Sequence, residues 1–468
     1  MQIKFGTDGW RGVIAREFTF EHLSQVAQAT MDWMQREGLA GQGLVVGYDR
    51  RFLSPEFARR VAEVAAGNGI KTLFCEEVVP TPAVSWAVKQ VGAGAGIMIT
   101  ASHNHPIYNG FKIKEVYGGS ASPRTTGLLE QILLYNQQHD RMVRAVPFDE
   151  ASRLGLIEPY DATTAYLRQL SRYVDLEQIR QAGIPAIADP MYGAGTGLLN
   201  RLLGIEEIHA EHNPSFGGRA PEPIGENLPE LCSLVRSGRY RVGLALDGDA
   251  DRIGAVDEQG EFFSSHGIFS LLLKHLVERK GRSGGVVKTV STTRLVDCLA
   301  KAYQLPLFET PIGFKHICEL MLEQQILMGG EESGGLGVIG HIPERDGILM
   351  GLLLMETIAA TGKGLREQLD EIMAEHGRFA YRRIDTHITS EAKEGLLARL
   401  RTDAPAVIAG RPVSSTNFSD GFKFIFENGD WLLIRPSGTE PVLRLYSEAS
   451  EAAMVETLLR SARQLAGL

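Results

Sequence analysis

The sequence predicts an α/β protein: three similar α/β units with mixed, mainly parallel sheets, then a smaller C-terminal α+β unit. Three observations carry this. Apolar runs of strand length alternate with amphipathic helical segments, the pattern of βαβ units. The last part of the chain instead reads as a run of strands closed by one helix. At 468 residues the chain exceeds what one ordinary core holds, so several units are expected.

In chain order, Leu44-Val45-Val46-Gly47-Tyr48-Asp49 is a strand before a helical pattern from Ser54 to Gly67. Residues 71–74 read as the next strand, and 82–91 as a helix leading to Ala95-Gly96-Ile97-Met98-Ile99. The pattern recurs at Pro185-Ala186-Ile187-Ala188-Asp189, where Gly193, Gly195 and Gly197 lead into a helix at Leu198. Val242-Gly243-Leu244-Ala245-Leu246 is a further strand-like run. The pattern returns at residues 285–290, before a helix expected over 293–303. Residues 347–360 are the most apolar long stretch, broken by Glu356 and too short to span a bilayer, so a buried helix is expected. Residues 382–386, 422–426, 431–435 and 444–446 read as the strands of the last unit. Boundaries are placed near 150, 256 and 375, to within about ten residues. The units are then 1–150, 151–256, 257–374 and 375–468.

Composition narrows the function. With 44% hydrophobic and 22% charged residues the chain matches an ordinary globular protein. A formal charge of −9 argues against a general nucleic-acid binder, so an anionic substrate needs a local basic cleft. Cys75, Cys232, Cys298 and Cys318 are widely spaced with no CxxC pair, which reads as reduced thiols in a cytoplasmic protein. The first residues, Met1-Gln2-Ile3-Lys4-Phe5-Gly6, lack the apolar region of a signal peptide, and no membrane role is expected.

Four loops carry chemistry. Thr100-Ala101-Ser102-His103-Asn104 offers a hydroxyl on a short polar turn closing an apolar run, although most such serines are turn or N-cap residues. His103 is either a structural histidine or one that shuttles protons or contacts a serine phosphate. Asp247-Gly248-Asp249-Ala250-Asp251 presents three carboxylates on alternate residues, a donor set for a hard cation such as Mg2+. It lacks the glycine and terminal glutamate of an EF-hand, and three like charges this close call for a cation. A phosphate on Ser102 would add a further anionic oxygen to the metal. Arg252 then holds a phosphate or neutralises the cluster. In Gly329-Gly330-Glu331-Glu332-Ser333-Gly334-Gly335, Glu331 and Ser333 suit a polyol such as a sugar, against the plain alternative of an acidic surface turn. Arg435-Pro436-Ser437-Gly438-Thr439-Glu440-Pro441, with Arg444, can wrap a dianionic phosphate or simply connect a hairpin. Taken together, the loops point to metal-assisted phosphoryl transfer through a phosphoserine.

In this order the four loops resemble those of the α-D-phosphohexomutase family, which includes phosphoglucomutases and phosphomannomutases. The resemblance covers the whole chain, from Phe5-Gly6-Thr7-Asp8-Gly9-Trp10-Arg11-Gly12 to the phosphate loop. It implies four domains around a central cleft, with the last one mobile. It makes Ser102 the phosphoserine and assigns one Mg2+ per active site to Asp247, Asp249 and Asp251. Glu331 and Ser333 match residues that grip sugar hydroxyls. Arg435, Ser437, Gly438, Thr439 and Arg444 match the clamp on the non-reacting phosphate. Arg11 and Lys112 match basic residues near the transferring group.

Two departures stand out. His105 replaces the first proline that many members carry after Ser-His-Asn, with consequences for loop stiffness or local titration. Gly335 stands where some bacterial members carry a histidine proposed for proton transfer, which leaves Lys315 and His103 as the candidates.

The activity implied is interconversion of hexose 1-phosphate and hexose 6-phosphate, glucose and/or mannose, through a bound 1,6-bisphosphate that also serves as activator. A cytoplasmic monomer or homodimer is expected. The alternatives are a hexose 1,6-bisphosphate synthase using the same serine, a phosphoglucosamine mutase, whose sugar loop more typically reads Glu-Gln-Ser, and a non-catalytic sugar-phosphate sensor.

Overall fold

The computed structural model describes residues 3–6, 8–436 and 442–467. The first elements are β1 (Trp10–Val13), α1 (Phe20–Arg36), β2 (Leu44–Tyr48), α2 (Ser54–Gly67), β3 (Thr72–Phe74), α3 (Thr81–Val91), β4 (Ala95–Ile99), β5 (Tyr108–Lys114), α4 (Pro123–Gln138), α5 (Phe148–Arg153) and β6 (Ile157–Pro159). Their sheet has the order β1-β5-β4-β2-β3-β6. β4, β2, β3 and β6 run parallel, and β5 and β1 close the other edge antiparallel. β2 and β4 are buried at every residue, covered on both faces, which is why they read as unbroken apolar runs.

Next come α6 (Ala162–Tyr173), α7 (Leu176–Ala182), β7 (Ala186–Asp189), α8 (Leu198–Leu203), β8 (Glu206–Glu207), α9 (Pro229–Arg236), β9 (Val242–Leu246), β10 (Ile253–Val256) and β11 (Phe262–Phe263), with sheet order β11-β10-β9-β7-β8. The third group is α10 (Ser265–Glu278), β12 (Gly285–Thr289), α11 (Leu295–Ala302), β13 (Leu307–Thr310), α12 (Phe314–Glu323), β14 (Ile326–Gly330), β15 (Leu336–Val338), α13 (Gly347–Thr361) and α14 (Leu365–His376). Its sheet order is β13-β12-β14-β15. The last group is β16 (Ala380–His387), α15 (Ser390–Thr402), β17 (Val407–Ile408), β18 (Arg411–Asn417), β19 (Phe422–Phe426), β20 (Trp431–Pro436), β21 (Val442–Ala449) and α16 (Ala452–Ala466). Its sheet, β16-β21-β20-β19-β18-β17, is antiparallel throughout.

One local arrangement recurs in the first three sheets. β4, β9 and β14 each pair parallel with an earlier strand, β2, β7 or β12, and antiparallel with the next one, β5, β10 or β15. The loops that leave these three strands carry Ser102, the aspartates and Glu331.

Two strands lie just past the expected boundaries, within their margin of about ten residues. β6 lies beyond residue 150 yet extends the first sheet, and β11 lies beyond 256 yet extends the second. Both are too short to leave a periodic signal, and only their pairing assigns them. The helix expected over 293–303 starts at Leu295, because Thr293 Oγ1 accepts the Leu295 N–H (3.1 Å).

One apolar core runs through the first three groups, joining Val84 and Val88 of α3 to Leu244 of β9 and to Leu352 of α13, whereas the last group has its own core around α16. α13 is apolar on all sides because it is enclosed on all sides. No single helix among the described residues is long and apolar enough to cross a membrane. The one charge in α13, Glu356, is buried and takes the Lys280 ammonium on both oxygens (2.8 Å each), His275 Nε2 (2.9 Å) and the Asp175 N–H (2.8 Å). This ties α13 to α10 and to the start of α7.

Burial pushes the Glu356 carboxyl up, but the His275, Asp175 and Lys280 partners prevail and hold it down at about 2. A depressed carboxyl stabilises the fold above its unfolded value, near 4.5, and loses that contribution as pH falls toward 2. Glu356→Gln is therefore expected to cost about 3 kcal/mol at neutral pH. The gap in unfolding temperature between variant and wild type should narrow from pH 4.5 downward. A gap absent at neutral pH, or unchanged on acidification, would contradict this role.

Candidate active site

Ser102 stands in the turn that follows β4, buried, in the left-handed region at φ 53°, which is uncommon outside glycine. Thr100 Oγ1 holds the turn, accepting the Ser102 N–H (2.8 Å) and donating to Asp49 Oδ2 (2.6 Å). The Ser102 hydroxyl then donates to Asp247 Oδ2 (2.8 Å), bringing together the two loops singled out in the sequence. A Cβ on Gly248 would lie 2.4 Å from the Ser102 carbonyl oxygen, so this approach requires glycine.

Asp247, Asp249 and Asp251 are fully buried, and each offers an oxygen within 4.8 Å of the others. Asp249 Oδ2 accepts from Thr81 Oγ1 (2.5 Å) and Lys112 Nζ (2.8 Å). Asp251 Oδ2 accepts from Lys112 Nζ (2.8 Å) and lies 2.9 Å from Arg345 Nη2. Among the described residues, the second oxygens of Asp249 and Asp251 are buried without a hydrogen-bond partner. Buried carboxylate oxygens rarely stay unpartnered, and a set of hard oxygen donors beside the serine fits a divalent cation. Burial, with Asp251 and Asp249 adding to it, pushes the Asp247 carboxyl well up. Burial also raises Asp249, but Lys112 wins and holds it low.

Lys112, on β5, points its ammonium at three carboxylates: Asp8, Asp249 and Asp251, each at 2.8 Å. Burial favours the neutral amine, yet these charges outweigh it and keep Lys112 protonated. Arg345 completes the cluster, reaching Asp8, Asp251 and, at 3.8 Å, Glu331 Oε2, with Glu344 at 3.3 Å. Arg11 Nη1 donates to Asn104 Oδ1 (2.7 Å) on the serine loop. Arg252 has its backbone N–H on Asp247 Oδ1 (3.0 Å), while its Nε lies 4.0 Å from Asp251 Oδ1 and makes no hydrogen bond among the described residues. His103 Nδ1 lies 3.4 Å from the Ser102 hydroxyl oxygen. Burial and then the cations Arg252, Arg11, Lys112 and Arg345 push this imidazole well down, so it is neutral at physiological pH.

The sugar-loop candidates meet the metal loop directly. The Ile253 N–H donates to the Gly334 carbonyl (3.1 Å), and Arg252 pairs with Gly335 in an antiparallel bridge. Glu331 Oε1 accepts the Gly313 N–H (3.0 Å). Burial raises its carboxyl to about 7 against the pull of Arg345. Ser333 is half-buried on the same loop. Glu332 accepts from Ser291 Oγ (2.6 Å). A Cβ on Gly335 would meet Arg345 Cδ at 2.4 Å, so a histidine here would have to displace Arg345. That gives a physical reason for the departure at this position.

Arg435 and Arg444 face each other across β20 and β21. Like charges opposed on neighbouring strands repel, which suits a site that takes an anion. Asp420 accepts from Arg435 Nε (2.8 Å) and from the Ile312 N–H (2.9 Å), linking this pair to the turn before α12. Ser437, Gly438 and Thr439 lie outside the described residues. Lys315 sits in the first turn of α12, half-buried, and makes no hydrogen bond or ion pair among the described residues. It is thus not joined to the serine network. The His105 side chain is exposed, with Nδ1 accepting the Ile107 N–H at 3.4 Å, and does not touch Ser102.

Sequence reasoning missed Asp8 and Arg345. Asp8 lay within a stretch singled out for Arg11. Arg345 sits in Glu344-Arg345-Asp346 just before the most apolar helix, where charges read as caps, and Asp346 does cap α13 by accepting the Leu349 N–H (2.9 Å).

Comparison with known proteins fits this arrangement. Four models for phosphoglucomutase/phosphomannomutase match in order: alpha/beta/alpha domain I over residues 2–140, domain II over 164–260, domain III over 264–376 and the C-terminal domain over 390–464. A phosphoglucomutase/phosphomannomutase of Thermococcus kodakarensis is 31% identical, the match covering 95% of this chain and 94% of the relative. A Methanothermobacter thermautotrophicus protein assigned as a phosphoglucosamine mutase is also 31% identical, over 95% and 93%. A crystal structure assigned as a phosphomannomutase from Thermus thermophilus superposes with a TM-score of 0.86 at 36% identity, covering 100% of both chains. With its four domains, its aspartate triplet and its serine loop, the chain belongs to the phosphoglucomutase/phosphomannomutase family of phosphohexomutases.

Proposed function

We propose that this phosphohexomutase interconverts the 1- and 6-phosphates of glucose and/or mannose through a phosphate carried on Ser102. The contact that carries the reading is the Ser102 hydroxyl on Asp247 Oδ2 (2.8 Å), beside two buried aspartate oxygens that accept no hydrogen bond among the described residues. In the cycle, phospho-Ser102 gives its phosphoryl group to the free hydroxyl of the sugar phosphate, forming a P–O bond to the sugar as the P–O bond to serine breaks. The bound 1,6-bisphosphate turns over and returns its other phosphate to Ser102. The same bisphosphate acts as activator by rephosphorylating enzyme that has lost its phosphate.

Mg2+ held by Asp247, Asp249, Asp251 and the serine phosphate would supply Lewis-acid stabilisation of charge on the transferring group. The chain's own residues do the rest. Arg11, Arg252 and Lys112 place fixed positive charge around the serine, an electrostatic frame set before the reaction. Neutral His103, 3.4 Å from the serine oxygen, suits proton exchange there, and is favoured over Lys315, which makes no hydrogen bond or ion pair among the described residues. Glu331, near half-protonation at neutral pH, can accept from or donate to a sugar hydroxyl, which serves a substrate held in two orientations. Ser333 adds a second hydroxyl contact. Arg435 and Arg444, with Ser437, Gly438 and Thr439, hold the phosphate that is not reacting.

The exposed His105 side chain, away from Ser102, gives no support to release of the bisphosphate, so the mutase reading is preferred to the synthase. The intact serine and aspartate contacts weigh against a non-catalytic sensor. The sugar loop reads Glu331-Glu332-Ser333 rather than Glu-Gln-Ser, which favours a hexose over a glucosamine substrate.

Ser102→Ala is expected to lower mutase turnover by more than about 10⁴-fold, the scale seen when a covalent nucleophile is lost. Its unfolding temperature should stay near that of wild type. Turnover of glucose 1-phosphate by this variant at wild-type rate would remove Ser102 from the mechanism.

Glu331 also predicts a pH dependence. If its carboxylate accepts the sugar hydroxyl, kcat/KM rises with pH through a limb near 7. Glu331→Gln should lose that limb and keep only the one from the substrate phosphate, near about 6. A limb near 7 that survives in the variant would assign it to another group.

A further inference from the structure

Arg51, in the turn after β2, has no part in the chemistry above, yet its side chain is completely buried. Nη2 donates to the carbonyl oxygens of Ser102 and Asn104, each at 2.6 Å. Nη1 donates to those of His105 (3.1 Å) and Tyr108 (3.0 Å). Nε lies 3.3 Å from Asp49 Oδ2, the oxygen that also accepts from Thr100 Oγ1. Asp49 Oδ1 in turn accepts the Arg51 N–H (3.0 Å) and the Ser54 hydroxyl (2.8 Å). Above the guanidinium lies the ring of Phe216, 4.9 Å away, from the chain segment between β8 and α9.

Four carbonyl dipoles converging on one buried point repel one another, and in the absence of water each left unmet is costly. A planar guanidinium with several donors in a fixed fork is the side chain that can satisfy them together, and an ammonium is not. The serine loop therefore folds around an internal cation. The same loop holds Ser102 at φ 53°, a conformation that persists only where its surroundings over-determine it. That conformation aims the hydroxyl at Asp247.

We propose that Arg51 is a positioning residue for phosphoryl transfer: its guanidinium fixes the serine loop from behind. Phe216 ties that setting to the unit that carries the three aspartates. The inference rests on the reading of Ser102 as the phosphate carrier.

The test compares wild type with Arg51→Lys and Phe216→Leu. The readouts are kcat and KM for glucose 1-phosphate with trace glucose 1,6-bisphosphate, the rate of Ser102 phosphorylation by the bisphosphate, and the unfolding temperature. In Arg51→Lys, kcat and the phosphorylation rate should fall together by about 100-fold, the scale of a displacement near 1 Å, with KM changed by less than about threefold. Phe216→Leu keeps the guanidinium and should lower kcat by about tenfold, so it serves even if Arg51→Lys fails to fold. Arg51→Ala should regain phosphorylation in millimolar guanidinium chloride and not in ammonium chloride, which a purely structural role would not produce. Wild-type kcat in folded Arg51→Lys or in Phe216→Leu, with phosphate present on Ser102, overturns the inference and leaves the Ser102 reading standing. Wild-type turnover with no phosphate ever on Ser102 overturns both.

Discussion

The structure is organised around one buried ammonium. Lys112 lies 2.8 Å from Asp8, Asp249 and Asp251, drawn from the start of the chain and from the loop after β9. Without it, carboxylates that share a dry site would repel or take up protons. Arg345 extends the same neutralisation to the third unit through Asp8, Asp251 and Glu331. The first three units are thus joined by a shared core and also by charges that no unit satisfies alone. The consequence of that arrangement is that removing any one partner strands the others.

Repetition explains how the groups arrive at one place. In each of the first three sheets a central strand, β4, β9 or β14, runs parallel to one neighbour and antiparallel to the next in sequence. Each loop leaves the carboxyl end of its strand, the end at which open α/β sheets present binding groups. One loop brings a hydroxyl, the second three carboxylates, the third a carboxylate and a hydroxyl. The Ser102 to Asp247 contact and the Ile253 to Gly334 backbone bond then fasten the loops to each other.

Most of this was legible in the sequence because it is local. β2 and β4 are buried throughout and read as apolar runs, α2 starts and stops where its pattern does, and the site loops carry residues of narrow chemical use. What was not legible is non-local. Arg345 and Asp8 meet across 337 positions of chain, and nothing in their neighbours marks them as partners. Arg51 reads as an ordinary turn arginine, and only the convergence of four carbonyls reveals its task. β6 and β11 are defined by pairing alone. Lys315 shows the reverse, a motif match whose side chain makes no hydrogen bond or ion pair among the described residues.

Every role assigned to the site residues depends on phosphate passing through Ser102. That passage is tested most directly by loading the protein with labelled phosphate from glucose 1,6-bisphosphate, locating the label by peptide mass spectrometry, and chasing with unlabelled glucose 6-phosphate. Label is expected on Ser102, leaving during the chase at the rate of turnover and appearing in the sugar phosphates. Turnover with Ser102 unlabelled, or label on Ser102 that stays through the chase, would contradict it.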